Sequence, residues 1–191
     1  MEHASLDRRA GEGFLEAPRE RPLRARVVAR MGVAAGAVGG LAMIAWQMLA
    51  GEIDATPTAV EGIDSSTWTA ITSVASLLLG ADAVHGWFSL GPVLLGLILW
   101  MAYAVVLGVA GIALLVYVQG YHPGPAAAAV QGIAYGLLVQ ILVINLAVNA
   151  IQDVNTVYES TTPWSWFAAH AVYGTTLGLA SAGLLSTRAA G

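Results

Sequence analysis

Four long apolar segments, separated by shorter polar ones, set the pattern of this chain. They lie at about residues 31–50, 92–118, 126–151 and 164–185. An α-helix rises about 1.5 Å per residue, so about 20 apolar residues cross the hydrocarbon core of a bilayer, which is roughly 30 Å thick. The pattern therefore predicts an all-α membrane protein, with a bundle of four transmembrane helices that occupies residues 30–188.

A shorter segment at residues 66–79 has the period of an amphipathic helix. Its apolar face carries Trp68, Ile71, Ala75, Leu78 and Leu79, and its opposite face carries Thr69, Thr72, Ser73 and Ser76. The segment is too short to span a bilayer. We expect a helix in the first external loop that lies in the interface or packs across the mouth of the bundle, with its Ser/Thr face turned toward water.

Composition supports a membrane protein and excludes several kinds of site. Hydrophobic residues make up 57% of the 191 residues and charged residues only 10%, against about 25% in an average soluble domain. No Asp, Glu, Lys or Arg occurs between Ala83 and Gln152, which a soluble domain of this size does not achieve. The chain has no cysteine, which excludes disulfides, thiolate metal sites and cysteine nucleophiles.

The arginines predict the orientation in the membrane. Five of them crowd the start of the first apolar segment, at Arg19, Arg21, Arg24, Arg26 and Arg30. Arg188 follows the last apolar segment, and every acidic residue beyond the N-terminal tail then falls on the opposite side. Basic residues mark the cytoplasmic side, so we expect a protein of the cytoplasmic membrane with both termini in the cytoplasm.

The polar N-terminal segment, residues 1–29, has no lasting apolar period and is expected to be a disordered cytoplasmic tail. A cleaved signal peptide is the alternative interpretation of the first apolar segment. It is less favoured, because that segment exceeds the usual apolar length of about 7–15 residues. The arginines of the tail suit topology and lipid headgroups better than nucleic acid, which we do not expect as a partner.

Small residues recur at intervals of four and predict close helix packing. They are Gly32, Gly36 and Gly40 in the first segment, Gly132 and Gly136 in the third, and Gly174 and Gly178 in the fourth. The two halves of the chain also resemble a duplicated helix hairpin, with Gly96 aligned to Gly178. Two crossings in each half would make these repeats parallel.

Three stretches carry a family resemblance: "GVAAGAVGGLAM", "HGWFSLGPVLLGL" and "HAVYGTTLGLASAGLL". They resemble the small four-helix membrane proteins that are grouped as domains of unknown function in bacteria and haloarchaea. The resemblance covers about residues 30–186 and implies the four-helix architecture only.

No catalytic motif is present, so the polar residues near the outer ends of the helices are the candidate site. They are Gln47, Asp82, His85, Asn145, Asn149, Asp153 and His170. All are expected at one depth, and buried polar side chains need partners in hydrocarbon. We expect them to converge inside the bundle, with His170 near Asn149 or Asp153 and with His85 close by.

Three interpretations of this cluster stay open. The side chains can tie helices together, with each bond contributing about 0.6 kcal/mol on average. They can line an outward-facing cavity for a small polar solute, an ion or a lipid headgroup. Alternatively, His85 and His170 can bind a metal ion or haem, with Asp82 or Asp153 in support.

The first interpretation favours a structural or accessory subunit of a membrane complex, or a homo-oligomer, with the lipid bilayer as its surroundings and no cofactor. The other two favour a membrane protein that binds a solute or cofactor around His85 and His170.

Overall fold

The computed structural model describes residues 25–53, 66–118, 124–150, 157 and 161–189, with side chains as far as Val143 in the third of these ranges and Ser186 in the last. Five α-helices occupy this part of the chain: α1 Ala25–Ile53, α2 Thr69–Leu79, α3 Leu90–Val118, α4 Pro125–Ala150 and α5 Pro163–Ala189. A 3-10 turn, Ala81–Ala83, follows α2. The predicted tail lies outside the described residues as far as position 24.

The described part of the chain is all-helical, and three of its helices are long and apolar enough to cross a membrane. They are α1, α3 and the part of α4 from Pro125 to Val143. This confirms the predicted all-α fold with long apolar helices. Helix α5 has 27 residues but is not among the three, since His170, several hydroxyl side chains and glycines lower its mean hydropathy.

The helices form a bundle in which each pairs with particular neighbours. Helix α1 packs between α3 and α5, α4 packs mainly on α5, and α2 packs on α3. Neighbouring positions show that α1 runs antiparallel to α3, since Gly32 lies against Val109 and Gly40 against Met101. The interior therefore lies between α1, α3 and α5, with α2 and α4 on its flanks.

Glycines allow two close contacts between long helices, as predicted. A Cβ atom built on Gly36 in α1 would lie 2.6 Å from the carbonyl oxygen of Ala104 in α3. A Cβ atom on Gly132 in α4 would lie 2.8 Å from the backbone nitrogen of Gly178 in α5. Both distances are below ordinary van der Waals contact, so these backbones touch because the side chain is absent.

The two contacts make two antiparallel helix pairs, α1 with α3 and α4 with α5, but the aligned Gly96 and Gly178 have different neighbours in them. Gly96 faces the backbone of Ile71 in α2, whereas Gly178 faces Ala128 in the partner helix of its own hairpin. Gly108, which faces Gly32 and Gly36, is the better counterpart of Gly178. The difference arises because α2 occupies the face of Gly96, so the alignment of Gly96 with Gly178 stays a prediction.

Helix α2 forms where it was expected, but the prediction that its Ser/Thr face turns toward water is wrong. Thr69, Thr72, Ser73 and Ser76 are all fully buried, whereas Leu78 is 67% exposed. The hydroxyls of Ser73 and Ser76 donate to the carbonyls of Ala70 and Ser73, at 2.8 Å and 2.6 Å. Since the helix backbone itself satisfies these hydroxyls, they can be buried without water.

Candidate functional site

His170 lies in the second turn of α5 and is 3% exposed. Its Nδ1 lies 2.9 Å from the carbonyl oxygen of Trp166, one turn earlier in the same helix. Its Nε2 lies 3.0 Å from the hydroxyl of Tyr103 in α3. A carbonyl oxygen only accepts, so Nδ1 carries the proton and Nε2 accepts the hydrogen bond of the tyrosine. The prediction that His170 faces the interior is confirmed.

This arrangement determines what the His170 side chain can do. Both nitrogens of the ring are occupied by groups of the protein. A metal or haem iron would need the Nε2 lone pair, which means displacing the Tyr103 hydroxyl. In the structure as it stands, His170 joins α5 to α3, which is the geometry of a helix tie.

His85 lies in the segment between the 3-10 turn and α3, in different surroundings. Its Nδ1 lies 2.8 Å from the carbonyl oxygen of Trp87, and its ring stacks on the indole of Trp87 at 4.5 Å. Its backbone carbonyl accepts a hydrogen bond from the hydroxyl of Thr72 at 3.0 Å. The contacts of His85 therefore fix this segment to α2, and they share no residue with the contacts of His170.

The remaining predicted site residues divide into three groups. Gln47 is fully buried, as expected. Asp82 is exposed, so the expectation that it turns into the bundle is wrong: the turn after Gly80, whose φ is +83°, places the carboxylate in an exposed position. The side chains of Asn145, Asn149 and Asp153 lie outside the described residues. Within the residues that are described, no group of three or more His, Asp or Glu side chains could hold a metal ion.

Tyrosine hydroxyls inside the apolar segments hydrogen-bond to a neighbouring helix, which the sequence analysis did not predict. The hydroxyl of Tyr173 in α5 donates to the carbonyl of Ala104 in α3, at 2.5 Å. The hydroxyl of Tyr135 in α4 donates to the carbonyl of Leu107 in α3, at 2.8 Å. The available signal was a tyrosine in the middle of an apolar segment, since a buried hydroxyl usually finds a partner.

Two further polar residues were missed, Trp100 in α3 and Gln140 in α4. Gln140 is fully buried and Trp100 is nearly so. Neither the amide of Gln140 nor the indole nitrogen of Trp100 has a hydrogen-bond partner in the described structure. The Trp100 ring stacks on that of Trp166, with ring centres 5.6 Å apart. Both residues lie inside apolar segments of the sequence. Their polar atoms, which apolar neighbours along the chain cannot satisfy, were the signal that could have identified them.

The interior of the described bundle is polar in places but is not charged. The charged side chains that the structure describes are Arg26, Arg30, Glu52 and Asp82, and all four are exposed. Glu52, at the end of α1, accepts hydrogen bonds from the backbone nitrogen and the hydroxyl of Thr67. The ion pairs or carboxylate pairs of a proton relay are therefore not among the described interior groups.

No protein-family model, curated protein or solved structure matches this chain. Any assignment of function consequently depends on the geometry of the helices and their polar side chains.

Proposed function

We propose that this protein is a multi-pass membrane protein that crosses the bilayer four times and serves as a structural or accessory subunit of a membrane complex. The observation that supports this role is how the interior polar groups are used. Tyr103 with His170, Tyr135 and Tyr173 all make hydrogen bonds from one helix to another. Side chains committed in this way fix the arrangement of the helices, as a scaffold requires.

The fourth crossing is supported by the neighbours of α5. Its 27 residues extend about 40 Å, enough to span the hydrocarbon core. It runs antiparallel to α1, since Trp46 donates to the carbonyl of Ser165 and Gly39 lies against Tyr173. The hydroxyls of Thr175 and Thr176 donate to carbonyls one turn earlier, at 2.8 Å and 3.1 Å, so these polar residues can lie in lipid.

The orientation is supported by residues at the two ends of the bundle. Arg26 and Arg30 are exposed at the start of α1, as expected on the cytoplasmic side. At the other end of α1, the ring of Trp46 packs edge-on against that of Trp164, with centres 5.9 Å apart. Helix α2 begins at this same end, where Ser66 lies against Gly51. Tryptophan is enriched at membrane surfaces, which supports the placement of α2 near the external surface.

Reporter fusions test the topology. Fusions at Gly124 and Gly191 should report the cytoplasm, and fusions at Glu61 and Ser160 should report the external side. The pair at Ser160 and Gly191 brackets α5, so they test the fourth crossing directly. If Ser160 and Gly191 report the same side, α5 does not cross the membrane and the proposal of four crossings is wrong.

Photo-cross-linking in native membranes tests the accessory role. Cross-linking residues placed at Ile98 and Val106, which are exposed on α3, should yield protein adducts larger than the 19.7 kDa chain. The same residue at Ile112, which is fully buried on α3, is the matched control and should yield none. If the exposed positions of all four long helices yield only lipid adducts, the protein acts alone and the accessory role is refuted.

A further inference from the structure

Several buried polar side chains have hydrogen-bonding groups for which the described structure shows no hydrogen-bond partner. Three of them are nearly or completely buried and lie on three different helices. They are the amides of Gln47 in α1 and Gln140 in α4 and the indole N–H of Trp100 in α3. Both glutamines are completely buried. Nearly all buried polar groups of proteins are paired, and lipid around a bundle supplies no partner. Three such groups within one small bundle therefore call for a common explanation.

Two of these groups lie at the level of one turn of α5, the turn that contains Ser165 and Trp166. The indole of Trp46 donates to the carbonyl of Ser165 at 3.1 Å, so the next residue of α1, the buried Gln47, lies at the level of this turn along the bundle. The ring of Trp100 stacks on that of Trp166, at 5.6 Å and with 20° between the ring planes. Trp100 thus contacts the turn from α3, and Gln47 is buried at the same depth in α1.

The third group reaches the same turn from α4. A Cβ atom built on Gly136 would meet the backbone carbonyl of His170 in α5. Helices α4 and α5 are antiparallel, since Gly132, one turn before Gly136, lies against Gly174 and Gly178. One turn after Gly136 is Gln140, which must therefore lie beside the turn before His170, where Trp166 is located.

We propose that Gln47, Trp100 and Gln140 form a buried site for a small uncharged molecule that both donates and accepts hydrogen bonds. The indole N–H and the amide N–H groups need an acceptor, whereas the two amide carbonyls need a donor. A charged ligand does not fit, because the described charged side chains are all exposed and amides do not neutralise a charge. Water and a small neutral alcohol or amide both have the required chemistry. This inference concerns a ligand and does not depend on the proposed accessory role.

The neighbouring His170 does not take part in this site. Its two nitrogens already bond to the Trp166 carbonyl and the Tyr103 hydroxyl. The site is therefore distinct from the candidate site of polar residues that the sequence predicted around His85 and His170, and Gln47 is the residue that the two sets share.

The sign of a stability change tests whether the site is occupied. In Gln140→Leu and Gln47→Leu the amide is replaced by an apolar side chain of similar size. If a bound molecule satisfies the amides, each change leaves that molecule without partners, and the melting temperature in detergent should fall by at least about 4 °C. If the amides are simply unpaired, the changes remove a penalty, and an unchanged or raised melting temperature in both variants overturns the proposal. Thr175→Val, at a half-buried position where the hydroxyl donates to the carbonyl of Ala171 in its own helix, is the control for removing a polar group that is already satisfied, and it should change little.

The double variant tests whether the two glutamines share one molecule. Removing either amide should already weaken the binding of the shared molecule. The second substitution should therefore lower the melting temperature by less than the same substitution does in the wild-type protein. Additive effects would overturn a shared site.

Trp100→Phe keeps a ring that can stack on Trp166, and it provides the test if a leucine variant does not fold. The tryptophan fluorescence of the wild type minus that of Trp100→Phe gives the emission of Trp100. If the bound molecule accepts a hydrogen bond from the indole, this difference should lie at long wavelength. Loss of short-wavelength emission instead would also overturn the proposal.

Mass spectrometry of organic extracts separates the two sources of the ligand. The extract of the purified wild-type protein is compared with that of Gln140→Leu. A neutral compound that is retained by the wild type and lost from the variant identifies a solute. A destabilised variant with no such compound identifies water. Both results support the site and differ only in its occupant.

Discussion

The contact between α4 and α5 offers a sharp test of the packing, through the substitution Gly174→Ala. A Cβ atom at this position would lie 2.8 Å from the carbonyl carbon of Gly132 and 3.0 Å from the backbone nitrogen of Gly136. Ordinary contacts begin at about 3.4 Å, and neither of these backbone atoms can rotate away. The carbonyl oxygen of Gly132 would lie closer still, so the helices must separate by about an ångström, which costs at least about 1–3 kcal/mol in a well-packed interior.

A matched control removes the effect of alanine on the helix itself. Gly183 lies in the same helix, and a Cβ atom there would meet nothing within 4 Å. Gly183→Ala should raise stability by up to about 1 kcal/mol through helix propensity alone. The difference between the two variants therefore isolates the packing cost.

Thermal unfolding in detergent, followed by tryptophan fluorescence, measures this difference. Each kcal/mol corresponds to about 2–4 °C for a chain of this size, so Gly174→Ala should melt several degrees below Gly183→Ala. Equal melting temperatures for the two variants would refute the close approach of α4 and α5.

Two further perturbations test other parts of the bundle. Tyr103→Phe and His170→Phe should each lower stability, and their double-mutant cycle should show a coupling of about 0.6 kcal/mol and at most about 1.7 kcal/mol; additive effects would show that the bond contributes nothing. Cysteines placed at Thr72 and Ser76 in this cysteine-free chain should resist an impermeant thiol reagent, because both positions are fully buried, whereas one at the exposed Asp82 should react. Rapid labelling at Thr72 or Ser76 would place the Ser/Thr face of α2 in water after all.

The long helices were predictable because length and apolar content determine them. The second and third apolar segments, 92–118 and 126–151, match α3 (Leu90–Val118) and α4 (Pro125–Ala150) to within two residues. The first segment was predicted too short, since α1 begins at Ala25 and includes the exposed Arg26 and Arg30. Charged residues end an apolar segment, but they do not end a helix that continues beyond the hydrocarbon core.

The neighbours of each helix were not predictable, because periodicity identifies the faces of a helix and not what covers them. Helix α2 shows this most clearly. Its Ser/Thr face was taken as the wet side, yet it packs inside the protein, while Leu78 is exposed. Similarly, the depth of Asp82 and His85 suggested a common site, but a single 3-10 turn sends the carboxylate outward and leaves the imidazole buried.

The types of polar residue in an apolar helix differ in how strongly their burial indicates a helix contact or a bound ligand. Serine and threonine hydroxyls reach a carbonyl three or four residues earlier, so their burial says little about a ligand. The tyrosine hydroxyls described here bond to a neighbouring helix and therefore report packing. A primary amide carries two donors and an acceptor, which one backbone carbonyl cannot satisfy. Buried glutamines such as Gln47 and Gln140 thus remain as the side chains whose requirements the helices do not meet, and it is at these positions that a ligand should first be sought.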